Sequence, residues 1–507
     1  MLFSSTRNTR RVSYYEPNMT MNPLKAAIAA LTATCLSPLL MNAQTATPTT
    51  PATPIQHVIV IFDENNSFDH YFGTYPNALN PPGEPQFTPL ANTPTVNGLT
   101  PSLIANNPNS TKPFRLNRTQ EMLCDNDNHY TDEQNAYDGG LLDKFPESTN
   151  GTGCPTGSNM GYYDGNTVTA LWNYAQHFAM SDNFFDTEFG TTVMGHLNLV
   201  SGQTHQTSVS SISGKVANGS VIANLNAGYD DCGGTGTIQM TSKNVGDLLN
   251  AAGVTWGWFY ASFSAIGRNS DGTAICDPAY NNHYDPFMYY KSTSNPHHLP
   301  PVSVDTIGTT DQANHNYGLA DFWNAAIYGN LPAVSFIKFA SANTGHPADS
   351  TVLAEQRYLV DTINALQELP VWSSTAVFIT YDDSDGWYDH VMPPIVNYSN
   401  DPANDSLLGP TGMCGKPAPG AYLDRCGYGT RLPLLVISPF AKQNFVDSSL
   451  TDTTSILRFI EDNWNLGRIG DQSFDVLAGS LLNMFNFSGP ATPKLFLDSG
   501  TGLVVNQ

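Results

Sequence analysis

Charge is scarce in this chain, and basic charge scarcest. Asp, Glu, Lys and Arg make up 13% of 507 residues, with 21 Lys and Arg against 44 Asp and Glu. The formal charge of -23 removes any general field that would gather nucleic acid or anionic lipid, so an anionic substrate has to be captured locally. No CxxC pair occurs, which argues against a thiolate zinc site. A GxSxG elbow, an HExxH helix and a Walker loop are also missing. A serine esterase of the α/β-hydrolase kind, a zincin protease and a nucleotide-driven enzyme therefore have no motif to rest on. Apolar material is plentiful: 40% of residues are hydrophobic and 11% aromatic, the composition of a folded globular enzyme. At ~150 residues per domain the length permits about three domains, and a single large α/β domain with insertions is equally compatible.

The first fifty residues have the character of a targeting segment. Lys25 precedes an apolar run from Ala26 to Met41, and Met41-Asn42-Ala43 puts a small residue at a cleavage point before Gln44. The run is shorter than the ~20 residues a membrane span needs, and a Thr/Pro/Ala linker follows it. The sequence thus predicts a signal peptide with its upstream segment over residues 1–43, a linker over 44–54 and one domain with insertions over 55–507, with no stable membrane anchor. A start at Met19 or Met21 is compatible with this reading, and Arg10-Arg11 lies too far from the apolar run to define a twin-arginine signal. Cys35 falls inside the run without a lipobox. The other six cysteines, Cys124, Cys154, Cys232, Cys276, Cys414 and Cys426, form an even set that suits disulfides in a secreted or periplasmic protein. Sequence proximity favours neighbours such as Cys414 with Cys426.

Short apolar runs at residues 57–62, 254–260, 333–339, 376–381 and 432–438 end abruptly in polar residues and read as buried parallel strands. Helical patterns lie between them. One places Val168, Leu171, Trp172, Ala175 and Ala179 on one face, another places Val245, Leu248 and Leu249 before Gly253, and a late amphipathic helix covers residues 455–464 after Asp452. This alternation predicts a three-layer α/β/α sandwich, whose ligands bind beyond the carboxyl ends of the strands.

Three clusters stand at such positions. The first run delivers Asp63-Glu64-Asn65-Asn66-Ser67; a helix cap accounts for one of these polar residues but not for Glu64 and Asn65 together. The run AVFITY delivers Asp382-Asp383-Ser384-Asp385-Gly386 and then Asp389-His390; carboxylates this dense repel unless a cation, protons or hydrogen bonds compensate them. Oxygen ligands from Glu64, Asn65, Asp382 and Asp383 suit a divalent metal, with magnesium, calcium, manganese and zinc all open. The third cluster is a Gly190-Thr191-Thr192 turn leading into an apolar helix. A hydroxyl there meets free N–H groups that favour phosphate, and a bound metal would activate it, although an ordinary Thr N-cap explains the turn equally well in isolation.

Taken together, the strings IQHVIVIFDENNSFDHYFGTYPNA, NMGYYDGNTVTALWNYAQHFAMSDNFF, FGTTVMGHLNLVSGQT, VFITYDDSDGWYDHVMPP, YGTRLPLLVISPFAK and TSILRFIEDNWNLG resemble the bacterial phosphoesterases that include non-haemolytic phospholipases C and secreted acid phosphatases. They run in order from Ile55 to Gly467. The resemblance implies an alkaline phosphatase-like fold and a metal held by Glu64, Asn65, Asp382 and Asp383, with Thr192 as both a further ligand and the nucleophile. It also implies that His129, His297, His298 and His346 line the phosphate site, where imidazolium groups bind nonbridging oxygens and one protonates the leaving alkoxide. His390 with Asp389 is expected to support the site from behind.

The phospholipase branch usually carries GPTDPNR-like and YDEHGG-like blocks, and this chain has GTTVMGH and YDDSDGW instead. With Asp127 to Gln134 upstream, that departure leans toward acid phosphatases acting on phosphomonoesters through a phosphothreonine. Phospholipase C cleavage of phospholipid headgroups is the alternative. A secreted binding protein stabilised by metal, without turnover, is the second alternative.

Overall fold

The longest apolar runs of the sequence lie side by side. In this computed structural model the described residues are 50–399, 401–408, 414–415 and 425–505; the leader, Cys35 and residues 44–49 of the linker lie outside them. The central sheet has eight strands: β1 (His57–Asp63), β2 (Ala179–Ser181), β3 (Trp256–Tyr260), β4 (Asn316–Gly318), β5 (Val334–Lys338), β6 (Thr375–Tyr381), β7 (Leu434–Ile437) and β8 (Phe445–Asp447). Their order is β4-β3-β5-β1-β6-β7-β2-β8. The inner strands β1, β5 and β6 are almost wholly buried, which is why they read as continuous Val/Ile/Phe runs without alternation.

β4, β3, β5, β1 and β6 pair in parallel, whereas β7 pairs antiparallel with both β6 and β2. The expectation of an all-parallel sheet is corrected at β7. Burial on both faces makes β7 apolar throughout in the same way, so direction leaves no mark on its composition.

Helices α1 (Phe68–Phe72), α2 (Tyr130–Tyr137), α3 (Thr169–His177), α4 (Thr192–Ser201), α5 (Val245–Ala252), α6 (Leu319–Tyr328), α7 (Val352–Glu368) and α8 (Thr453–Asn463) complete the three-layer α/β/α architecture. α4 packs on α5 and α8, and α3 packs on α7. Two helices have the ends the sequence announces. Asn244 and Asp247 form a capping box ahead of α5, which stops at Gly253 with φ +66°, and Asp452 caps α8. α3 ends at His177, earlier than its pattern implied, and Ala179 opens β2 instead. All six cysteines pair: Cys124 with Cys154, Cys232 with Cys276 and Cys414 with Cys426.

A buried ion cluster locks the helix after β1 to the segment after β6. Arg431 lies 3.1 Å from both Asp69 Oδ1 and Asp389 Oδ2, donates to the carbonyls of Asn97 and Asp182, and covers the Phe68 ring at 4.2 Å. His390 donates to Asp69 Oδ2 through Nδ1 at 2.6 Å, so its partner is Asp69 and Asp389 serves Arg431. Burial alone would raise the Asp69 carboxyl, but His390 and Arg431 hold it below its ordinary range. Burial would likewise lower His390, and the Asp69 carboxylate outweighs it and raises the imidazole. A depressed acid contributes stability above its unfolded value, and a raised imidazole contributes below its own. Their mutual stabilisation is therefore full between about pH 4 and about pH 6.5, and fades above that window as His390 deprotonates. The difference in thermal midpoint between the parent and His390→Gln is expected to be largest inside that window and to shrink toward alkaline pH. A difference that grows with pH would contradict the pairing.

Candidate metal and phosphate site

The register of the sheet assembles the site. β1 runs parallel to β6 with Asp63 opposite Tyr381, so the next residue on each strand, Glu64 and Asp382, emerge side by side although 318 positions apart in sequence. Asn65 follows with φ +55°, a left-handed conformation that Asn tolerates, and its backbone N–H donates to Asp382 Oδ1 at 3.1 Å. Asp383 N–H donates to the same oxygen at 3.0 Å. The peptide of Asn66 closes the join by donating to the Asp383 carbonyl at 2.9 Å.

Thr192 is the first residue of α4, and its Oγ1 lies 3.3 Å from Asp383 Oδ2. Gly195 explains how the helix comes this close: a Cβ there would sit 1.9 Å from the Asp382 carbonyl oxygen. Glu133 of α2 ties the two loops together, accepting from Gly190 N–H at 2.9 Å and from the Ser384 hydroxyl. Burial pushes its carboxyl up to about 8. Asp385 holds the other side. Its N–H donates to Asp383 Oδ1 at 2.7 Å, and its carboxylate receives the Asn65 side-chain amide at 3.0 Å and two donors of Asn126 at 3.2 Å.

The donor set fits a hard divalent cation. Glu64 and Asp382 are 0% exposed and Asn65 1%. Even so, Glu64 Oε2 and Asn65 Oδ1 have no hydrogen-bond partner among the described residues. Asp382 Oδ2 has only ion-pair contacts, with His196 and Lys338, each at 3.6 Å. Ligand atoms of Glu64, His196 and Asp382 lie within 4.8 Å of one another. Carboxylates, an amide oxygen and a hydroxyl are what magnesium, calcium or manganese take. Electrostatics agree: burial, and then Asp382 beside it, push Glu64 up to about 8, and Asp383 is raised by burial and by Asp382. Lys338 and His346 offset only part of this for Glu64.

A cavity of about 460 Å³ opens over this set, lined by Asn65, Asn128, His129, Thr192, His283 and His346 among others. His346 donates through Nδ1 to the Pro347 carbonyl at 2.6 Å; burial opposes its charge, but Glu64, Asp385 and Asp125 raise it to about 9. His283 is driven down to about 3 by burial and then by the charge of Lys338. His129 is on the rim, its side chain 67% exposed and paired with Asp127.

Of the residues singled out from sequence, the structure brings together Glu64, Asn65, Asp382, Asp383 and Thr192, with His346 and His129 on the cavity wall. His297 and His298 stand elsewhere. His298 is buried between Asp230 at 2.8 Å and the Phe263 carbonyl at 2.6 Å, and His297 pairs with Asp231 at 2.8 Å. The aspartate pair anchors the histidine pair on a loop tied by the Cys232–Cys276 disulfide. His283, His196, Lys338, Glu133 and Asp385 were given no individual role from the sequence. Only Asp385 carried a signal, as a member of the acidic string. Gly195→Ala is expected to cost about 2–3 kcal/mol, because the added methyl has to push α4 off the Asp382 carbonyl. Urea denaturation measures this, and an unchanged midpoint would mean that α4 is not held there.

The family model described as the Phosphoesterase family matches residues 55–467. The non-haemolytic phospholipase C of Burkholderia pseudomallei is 27% identical over 491 residues, covering 92% of this chain and 64% of that protein. Its namesake in Pseudomonas aeruginosa is 25% identical over 456 residues, covering 86% and 58%. The chain thus spans less than two thirds of either relative. A solved protein of the alkaline phosphatase superfamily from Vibrio parahaemolyticus aligns with TM-score 0.32 and 11% identity, over 83% of this chain and 71% of that one.

Proposed function

The chain belongs to the phosphoesterase family, and we propose that it is a metal-dependent hydrolase of phosphoric esters, exported from the cytoplasm, in which Thr192 is the nucleophile. The observation that carries this reading is the meeting of two strand ends with a helix N-terminus, the Thr192 hydroxyl lying 3.3 Å from Asp383 in the wall of a polar cavity. Residues 55–507 are read as one catalytic domain. Three disulfides suit an oxidising compartment, secreted or periplasmic, and among the described residues no helix is long and apolar enough to cross a membrane.

Glu64, Asn65, Asp382, Asp383 and Thr192 would hold the cation, which when bound supplies positive charge that acidifies the threonine hydroxyl and draws charge from a nonbridging phosphate oxygen. Thr192 Oγ1 gives up its proton along the hydrogen bond to Asp383 and attacks phosphorus, forming the Oγ–P bond as the P–O bond to the leaving group breaks. His346 protonates the departing oxygen. Water then attacks the phosphothreonine, returns a proton to His346 and releases Thr192, which regains its own. His129 at the rim and neutral His283 on the wall offer donors to the phosphate oxygens. His297 and His298 have no part in this scheme, since neither lines the cavity.

For the substrate, a phosphodiester of the phospholipid kind is the better supported reading. The relatives that align along most of this chain are named phospholipases C, which outweighs the lean toward phosphomonoesters drawn from GTTVMGH and YDDSDGW. Thr192→Ala is expected to lower kcat by about a thousandfold or more while leaving the thermal midpoint in place. Turnover within tenfold of the parent would remove Thr192 as nucleophile. In a substrate comparison, kcat/KM for release of phosphocholine from phosphatidylcholine is expected to exceed that for p-nitrophenyl phosphate, with chelation abolishing both and metal restoring them. The reverse order would favour the phosphatase reading, and no hydrolysis of either would favour a binding protein.

A further inference from the structure

Lys338 is the one lysine among the buried charged residues described, and the reaction scheme leaves it without a task. It is the last residue of β5, beside β1 on one flank and β3 on the other, at 0% side-chain exposure. Its ammonium pairs with Glu64 Oε1, stands 3.6 Å from Asp382 Oδ2, and lies over the rings of Tyr284 at 4.7 Å and Phe62 at 5.5 Å. Its Nζ makes no hydrogen bond of good geometry among the described residues. Tyr284 lines the cavity and Lys338 does not, so the lysine reaches Glu64 and Asp382 from within the protein.

Burying an ammonium is costly, and a Leu or Met would fill this strand end more cheaply if packing were the only requirement. What the position demands is charge. Ionised as ligands of a divalent ion, Glu64, Asp382 and Asp383 bring three negative charges into a place closed off from solvent, and the ion offsets two of them. Lys338 supplies the third. We propose that Lys338 is the permanent counter-cation of the metal cradle: it holds Glu64 and Asp382 in ligating position while no metal is bound, and it brings the loaded site to neutrality. It is a positioning residue rather than a catalytic one.

This rests on the metal cradle proposed above, and the experiment separates the two. Full-length protein is stripped with EDTA, and its thermal midpoint is followed while manganese(II) is added back, for the parent and for Lys338→Met. The metal-free midpoint of the variant is expected to fall, and its rise on saturation with manganese to be about twice that of the parent or more, because metal then compensates carboxylates that Lys338 no longer serves. Titration calorimetry should show correspondingly tighter manganese binding. An ordinary buried ion pair would lower the midpoint equally with and without metal, and that result would overturn the proposal. No manganese response in the parent would remove the cradle itself and this role with it. Should Lys338→Met fail to fold without metal, the double variant Lys338→Met with Glu64→Gln carries the test. Removing the uncompensated carboxylate should restore folding in metal-free buffer, and a double variant no more stable than the single one would overturn the proposal.

Discussion

The parallel pairing of β1 with β6 is the constraint on which the rest of the molecule depends. It takes two segments that the chain separates by most of its length and sets Glu64 beside Asp382, both closed off from solvent. Every other feature of the site answers the resulting concentration of negative charge. Backbone N–H groups of Asn65 and Asp383 converge on Asp382, Asp385 N–H and the Asn128 amide converge on Asp383, and Lys338 closes on Glu64. Hydrogen bonds to the charged form are one way of keeping buried carboxylates ionised, and a cation is the other. The site uses both.

The same constraint explains the glycines and acids that surround it. The helix that begins at Thr192 can reach Asp383 only if its flank is bare, and Gly195 provides that flank. Gly386 does the same on the opposite side, where it turns at φ +66° under the Asp127 carbonyl and brings the rim segment of His129 down onto the acidic loop. Glu133 is shaped by its surroundings in turn. Buried, with its carboxyl pushed up to about 8, it links the Gly190-Thr192 turn to the loop after β6 through the Gly190 N–H and the Ser384 hydroxyl.

Much of this was legible in the sequence because strand ends are legible. Glu64, Asn65, Asp382 and Asp383 each follow an unbroken apolar run, and a polar residue directly after a buried parallel strand has few places to be other than a site. Thr192 was legible through the turn and apolar helix around it. Lys338 was hidden for the opposite reason, since it lies near the end of the largely apolar run 333–339 and a single lysine there looks like the exit to solvent. His283 sits in an Asn-rich loop with no periodicity, and only the fold carries that loop over the cavity. The His297-His298 pair drew attention by its density, yet density says nothing about direction: Asp230 and Asp231, more than sixty residues earlier, decide where both rings lie. The reversal of β7 was invisible because burial on both faces erases the alternation that direction would otherwise leave.

A site with several imidazoles needs a rule for which of them holds a proton, and here the buried charges supply one. His346 faces Glu64, Asp385 and Asp125 and is raised to about 9. His283 and His196 are buried on the Lys338 side, where desolvation first and the ammonium second drive them down. Lys338 and His346 therefore divide the positive charge between them, one fixed behind the ligands and one movable at the cavity wall. Two histidines of the same cavity, His346 and His283, end with ordinary values pushed in opposite directions, which is how a single environment separates a proton donor from a neutral hydrogen-bonding partner. The separation follows from where the carboxylates and the lysine sit, and these follow from the strand order β3-β5-β1-β6.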